Sequence, residues 1–591
     1  MYLRTSVRKR ADGTKVEYIQ LAHNYRDPET GRPKPKILYH FGQRDQVDAE
    51  GLRRLIRNIA RFLGAEDELA LAASGDSQLA NMRVMESRPM GTAWMLSELW
   101  KKLGVEKELV RLAKSTRTRK PKEVAGTILG MVLNRCLEPR SKHATPEWLD
   151  ESVWAPGVPE DLYDEKLYRA MDFLLETDSA LQKAVFFSTA DLLNLEVDLL
   201  LYDTTSSYFE MEWDDEERQE RKERWEAFDR GDGPEPSRPR PQVVNAPPLR
   251  MRGHSKDHRP DLSQVVIGMA VTREGIPVRC WTFEGNRNDA ATIKQVKEDL
   301  AGWRLNRVVW AVDRGMVSDD NLATLRGGGA HYIAGEKMRS GKESVEEALA
   351  RPGRYKKVRD NLEVKEVFVG TGERRRRHVV VRNPAGEVRD QKEREAHLKR
   401  IEEALSDLPD DPEDYTKKVH RLVAHPTLGR YLRLQKGRPV LDRKKVKAEE
   451  RLDGKYLLVT SDDSLTPEDV ALGYKQLLEV ERAWRDLKSG LDLRPMYHRK
   501  ADRIRAHVLL CWLSLLLVRV IETRTGRTWA RVRHEMDRLH RVVFENDEVQ
   551  VVRRTETTPL QSQLLKALDM APPPRLESIG PKRRGDPPPT A

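Results

Sequence analysis

The chain has 591 residues, enough for roughly three or four domains, and 34% of them are charged, with a formal net charge of +11. That balance points to a polyanionic partner. Cys136, Cys280 and Cys511 lie far apart and form no Cys-x-x-Cys pair, which excludes a disulfide framework and a zinc ribbon and fits a reducing cytosol.

Taken in chain order, the charge excess is greatest at the start, where residues 1–62 carry 14 Lys/Arg against 7 Asp/Glu. No apolar segment follows MYLRTSVRKR, so no signal peptide is expected. Val16 to His23 and Lys36 to Phe41 read as a hairpin around the turn-rich stretch Arg26 to Pro33. A helix is expected from about Ala49 to Leu63. Leu52, Leu55, Ile56, Ile59 and Phe62 form its apolar face. Arg53, Arg57 and Arg61 form a basic stripe, which reads equally as a solvated face or a phosphate contact.

Residues 64–195 read as a helical region serving DNA binding or dimerisation. Its helices are expected near 90–103, 122–137, 165–175 and 178–194. Leu199 to Tyr202 is an apolar strand leading to Asp203. A charge-dense segment follows (210–230), then a Pro/Gly-rich loop (231–249). Gln264 to Thr272 and Ile276 to Phe283 are strands joined in a hairpin through Gly275. A helix near 290–301 leads to a second apolar strand, Val308 to Val312, ending at Asp313. A helix (319–326) and a short strand (His331 to Ala334) follow. Three hairpin-linked strands, a helix and a fourth strand beside the first make a ribonuclease-H-like mixed α/β sheet. Its expected extent is 196–336 and 455–530. An insertion domain, 337–454, interrupts it. Pro467 opens a long helix to about Lys488, and a second helix spans 502–523. Its apolar run, Val508 to Val518, is too short for a bilayer and reads as buried. The tail 572–591 reads as disordered.

A lone Asp after a strand is usually a turn or helix cap. Two such strands, each delivering an Asp, point to a site for divalent cations with oxygen ligands. Tyr474, Glu481 and Lys488 follow at intervals of seven. On a helix, seven residues return to within about 20° of one face. Glu and Lys are poor core residues, which weighs against a plain amphipathic pattern.

These residues resemble the DDE transposases of bacterial insertion sequences, in the subgroup with a Y-(2)-R-(3)-E-(6)-K signature. Tyr474, Glu481 and Lys488 match it; Leu477 stands at the Arg position, with Arg482 or Arg485 as candidate substitutes. Asp203 within LLLYDTTSSYFE and Asp313 within VVWAVDRGM match the first two acids. The likeness extends to Gly253–Leu262, to Gly285-Asn286 with Asp289, and to RPMYHRKADRIRAHVLLCWL. It implies that Asp203, Asp313 and Glu481 are catalytic residues and hold a pair of Mg²⁺ ions, which Mn²⁺ can replace. It also implies DNA contacts at Lys488 and Tyr474, and a paired-end homodimer acting on terminal inverted repeats and target DNA. Lys256, Arg259, Arg485 and Arg494 are further basic candidates for DNA binding. His254 and His258 lack a third soft ligand, and Trp281 reads as core rather than as a base-stacking ring. The basic region 1–63 reads as DNA-binding, and the setting as cytoplasmic and nucleoid-associated. The rival readings are a ribonuclease-H-like nuclease or resolvase, and a non-catalytic DNA-binding regulator.

Overall fold

The computed structural model describes residues 2–9, 15–26, 33–48, 51–52, 55, 82–195, 197–303, 305, 308–372, 375–409, 412–494, 496–546 and 549–581. The chain divides into two compact units, one made of residues 1–89, 539–558 and 572–591, the other of 90–538 and 559–571.

In the first unit, β1 (Tyr2–Lys9), β2 (Lys15–Arg26) and β3 (Pro33–Gln43) form an antiparallel sheet. The expected hairpin is β2–β3, and β1 adds a strand that the charge-rich opening concealed. Its register runs from Tyr2 opposite Ala22 to Lys9 opposite Lys15. The helix expected at 49–63, with its arginine stripe, falls largely outside the described residues. A strand β4 (Arg83–Pro89) belongs to a second sheet in this unit, described with its partners below.

The second unit opens with six helices: α1 (Gly91–Lys102), α2 (Val105–Ser115), α3 (Pro121–Leu137), α4 (Thr145–Glu151), α5 (Asp164–Glu176) and α6 (Asp178–Leu193). They are followed by β5 (Leu199–Tyr208) and α7 (Asp215–Asp229), whose start is fixed by a capping box between Asp214 and Glu217. Next come β6 (Gln264–Thr272), β7 (Pro277–Glu284), α8 (Ile293–Ala301), β8 (Val309–Val312), α9 (Asp319–Arg326) and β9 (His331–Glu336). Residues 337–455 contribute α10 (Glu343–Ala350), β10 (Lys356–Arg359), β11 (Leu362–Val369), β12 (Arg376–Arg382) and α11 (Pro384–Ser406). They continue with α12 (Pro412–Val423), β13 (Leu432–Gln435), β14 (Arg438–Leu441) and α13 (Arg443–Glu450). The unit then returns through β15 (Lys455–Thr460), α14 (Pro467–Lys475), α15 (Leu477–Arg485) and α16 (Ala501–Thr525). It closes with α17 (Trp529–Met536) and α18 (Pro559–Ala567).

Nine strands share one mixed sheet in the order β10-β11-β12-β15-β9-β8-β5-β6-β7. β5, β8 and β9 run parallel to each other, and β6 and β7 are antiparallel additions. The segment 337–454 is therefore not wholly separate from the core. Its strands β10, β11 and β12 extend the sheet beyond β15. Only α11, α12, β13, β14 and α13 gather around a small core of their own, at Ile401, Tyr431 and Leu432.

Both faces of the central strands are covered, which is why the first half of β5 and most of β6 read as apolar runs. Successive side chains alternate. Leu199 and Leu201 join a large core shared with α3 and α16. Leu200 and Tyr202 enter a second core with Trp281, Ile293 and Val296. Trp281 is a core residue, as expected, and its indole donates to Asp299 (2.8 Å). Helix α16 is long and apolar enough to cross a membrane, but its most apolar stretch is 94% buried inside this unit.

The last strands belong to the first unit. β16 (His540–Glu545), β17 (Val549–Arg554) and β18 (Leu576–Pro581) complete an antiparallel sheet in the order β18-β17-β16-β4. Of the tail 572–591, read as disordered, residues 582–591 lie outside the described residues. Leu576 to Pro581 pairs with β17, where a run of polar and proline residues hid an edge strand.

Candidate active site

Asp203 does not end its strand. β5 continues to Tyr208, paired with β6 throughout. It is the neighbour β8 that ends, so the rim at Asp203 is created by the partner strand. In the parallel register Leu199 lies beside Val309 and Tyr202 beside Val312. The next residue along β5 is Asp203, and the residue just past the end of β8 is Asp313. Both have the parity of Leu199, Leu201, Val309 and Ala311, so both carboxylates emerge on the face of the larger core.

That face is covered by the signature segment. Val480, Ala483 and Trp484 bury one side of α15 and seat it over β5. Glu481 then falls at the edge of the contact. Asp203, Asp313 and Glu481 line one cavity of about 270 Å³, together with Tyr456, Tyr474, Lys475, Leu477 and Leu478.

The segment is not one straight helix. A tight turn at Gln476 separates α14 from α15, and residues 486–490 form a π turn. Tyr474 and Glu481 still face the same cavity. The π turn widens the spiral, so the seven-residue interval does not carry Lys488 onto that stripe. Its amine instead meets Asp257 Oδ1 at 2.7 Å, and Arg494 reaches the same oxygen at 2.5 Å. Burial pulls the Lys488 amine below its ordinary range, opposed by Asp257.

The Tyr474 hydroxyl donates to Asp313 Oδ1 (3.1 Å), and its ring stacks on Tyr456 with centroids 6.0 Å apart. Gly335 of β9 lies directly beneath the phenol, and any side chain there would collide with it. Burial, and then the adjacent Asp313 carboxylate, push the Tyr474 hydroxyl well above the usual phenol range.

Lys256 arrives from the 253–262 loop. Its ammonium donates to the Thr204 carbonyl and to Thr204 Oγ1, both at 2.7 Å. It lies 3.0 Å from Asp289 Oδ2 and 3.8 Å from Asp203 Oδ1. Thr204 Oγ1 donates in turn to Asp289 Oδ1 (2.6 Å). Burial lifts the Asp203 carboxyl to about 6; Lys256 opposes the lift, and the Asp313 and Asp289 charges reinforce it.

Of the other basic residues, Arg259 is paired with Asp261 (2.8 Å) and lies over the Tyr208 ring. Arg485 is exposed. Arg482 is bound to Glu522 of α16 (3.2 Å), and Leu477, at the position of the signature arginine, forms part of the cavity wall. Sequence reasoning did not single out Asp257, Lys475 or Tyr456, and took Asp289 only as part of a motif. The signal for Asp257 was its place beside Lys256 in a loop crowded with charge.

The donor set suits a hard cation. It is all oxygen, it includes a desolvated carboxyl held far above its ordinary range, and it opens onto a cavity. Among the described residues, no three His, Cys, Asp or Glu side chains converge closely enough to hold an ion unaided. Magnesium keeps several water or phosphate ligands, so acids spread around a cavity remain compatible with it.

Residues 3–71 match the family described as IS1634 family transposase, N-terminal domain, and residues 242–517 match the family described as Transposase DDE domain. No curated protein matches the chain. Among solved structures, it is similar to a piggyBac transposase synaptic complex with hairpin DNA, at 9% identity and a TM-score of 0.34, covering 76% of this chain and 79% of the other. With one match over the N-terminal region and the other over residues 242–517, which include Asp313 and Glu481, the chain belongs to the DDE transposases of insertion sequences.

Proposed function

We propose that this transposase binds the terminal inverted repeats of its element and carries out metal-dependent DNA strand cleavage and strand transfer at the Asp203, Asp313 and Glu481 cavity. The observation that carries the reading is the alignment of Asp203 and Asp313 on one face of adjacent parallel strands, with Glu481 lining the same cavity. The strand order β7-β6-β5-β8-β9 supports assignment of the catalytic core to the ribonuclease-H-like class, with the remaining strands as an extension.

In this reading the three carboxylates hold the cations. Bound there, a pair of Mg²⁺ ions, or Mn²⁺ in their place, would activate a water or DNA 3′-hydroxyl and stabilise the leaving oxygen. Tyr474 orients Asp313 by its hydrogen bond. Lys475, exposed on the cavity wall, supplies a positive charge to the DNA backbone, and Arg485 extends that surface. Lys256 is a fixed cation beside Asp203. Leu477 and Leu478 present an apolar wall against the sugar or base next to the cut. The basic N-terminal unit contributes sequence-independent affinity for the element ends. The active assembly is a homodimer holding a pair of ends.

The test is nicking of an element-end duplex in Mg²⁺, followed by joining of a precleaved end to target DNA. Asp203→Asn, Asp313→Asn and Glu481→Gln should each abolish both steps while retaining end binding. Undiminished cleavage by any of them removes that residue from the site. Cleavage by the wild type without joining of the precleaved end favours a simple nuclease. Binding without metal-dependent cutting favours a regulator.

A further inference from the structure

The loop from Gly253 to Leu262 carries two consecutive residues of opposite charge, and they reach in different directions. Lys256 is engaged with Thr204, Asp289 and Asp203 on the sheet side. Its backbone N–H also donates to Ser206 Oγ of β5 (2.9 Å), so the loop is fastened to the strand at that residue. Asp257 takes the Lys488 amine and the Arg494 guanidinium on a single oxygen.

The Asp257 side chain is only 5% exposed, and its second oxygen, Oδ2, is buried with no hydrogen-bond partner. A buried carboxylate is retained against its desolvation only when opposite charges hold it. Here those charges come from the π turn and from the segment just after it. The π turn begins directly after α15, the helix that bears Glu481.

We propose that Asp257 is a positioning residue for the cleavage reaction. Through Lys488 and Arg494 it anchors the turn after α15, and through its neighbour Lys256 that anchor is tied to the strand bearing Asp203. Glu481 is then held over the two aspartates by a charge clamp as well as by the packing of Val480, Ala483 and Trp484. The inference rests on the proposed role of the cavity, and it gives the signature lysine a partner within the chain.

The test uses the full chain without DNA or metal, so that it stands apart from the catalytic assignment. Asp257→Asn keeps the shape and removes the charge. Hydrogen–deuterium exchange should quicken across residues 486–494 and remain as in the wild type across β5, β6 and α16. In single-turnover cleavage the same variant should lose about 10- to 100-fold in rate, the range typical of residues that orient catalytic ligands. Element-end binding should change less than about threefold, and Asp257→Glu should recover part of the rate. Wild-type exchange in 486–494, or a wild-type cleavage rate, overturns the proposal. A uniform rise in exchange over the whole unit overturns it too, because Asp257 would then support general stability only. If Asp257→Asn does not fold, Arg494→Met removes one anchor from the opposite side. It must loosen the same segment, and unchanged exchange there is equally fatal. Asp203→Asn, run in parallel, reports on the catalytic reading: it should abolish cleavage without altering exchange in 486–494.

Discussion

Asp203→Asn replaces a carboxylate that the metal-free fold holds under strain of charge. Burial lifts this group from its ordinary 3.8 to about 6. The side chain is 23% exposed, so solvent screens it only in part. The folded state therefore binds the proton more tightly than the unfolded chain does. Well below pH 4 this carboxyl is protonated, and so uncharged, in both states. As the pH rises from about 4 to about 6, the unfolded chain releases its proton first, and stability falls. Above about 6 the full penalty is present, roughly 3 kcal/mol at about 1.4 kcal/mol for each pH unit between the two values. Asn carries no such penalty. In EDTA at pH 7.5 the variant should be more stable than the wild type by up to roughly 3 kcal/mol, a rise of about 3 °C in melting temperature for a unit of this size. The advantage should vanish near pH 4. Millimolar Mg²⁺ should stabilise the wild type and leave the variant where it was. Melting curves at pH 4.0, 5.5 and 7.5, with and without Mg²⁺, decide the matter. A variant less stable than the wild type at pH 7.5, or a gain that does not change with pH, refutes the reasoning.

Other outcomes follow from the same geometry. Glu481→Gln should lower Mg²⁺-dependent nicking by at least about a thousandfold while leaving the affinity for an element end within about threefold, measured by gel shift and single-turnover cleavage. Gly335→Ala should push the Tyr474 phenol off β9 and break its bond to Asp313, destabilising the protein by about 1–3 kcal/mol through overpacking; denaturant titration reads the first effect and cleavage rate the second. Lys256→Met should tighten Mn²⁺ binding, because a positive charge beside Asp203 repels a cation, and isothermal titration in the absence of DNA should show the change. In the same variant, cleavage should fall.

The sequence made the two acid-bearing strands readable because each is an apolar run buried on both faces, where alternation is lost and length alone marks the strand. It made the signature helix readable because Pro467 marks its start. The helices α3, α5, α6 and α16 were legible too. What failed was local. β1 is rich in arginine and lysine and carries no apolar pattern strong enough to announce a strand. β18 lies among prolines in a tail whose composition resembles that of an unfolded chain. The π turn leaves no mark in residue type, so an ideal helix carried Lys488 onto the stripe of Glu481, where the structure does not put it. The strands of 356–382 read as part of a separate insertion because nothing local tells which sheet a strand will join.

Residue chemistry by itself settled which acids were available and in what kind of element each stands, since both follow from short-range periodicity and from the expense of burying charge. Only tertiary structure decided that Asp203 and Asp313 share a face, because the register between β5 and β8 is set by packing between segments more than a hundred residues apart. The meeting of Asp257 with Lys488 and Arg494 is of the same kind. A buried ion pair is specified by where two distant stretches of chain come to rest, and neither stretch alone contains that information.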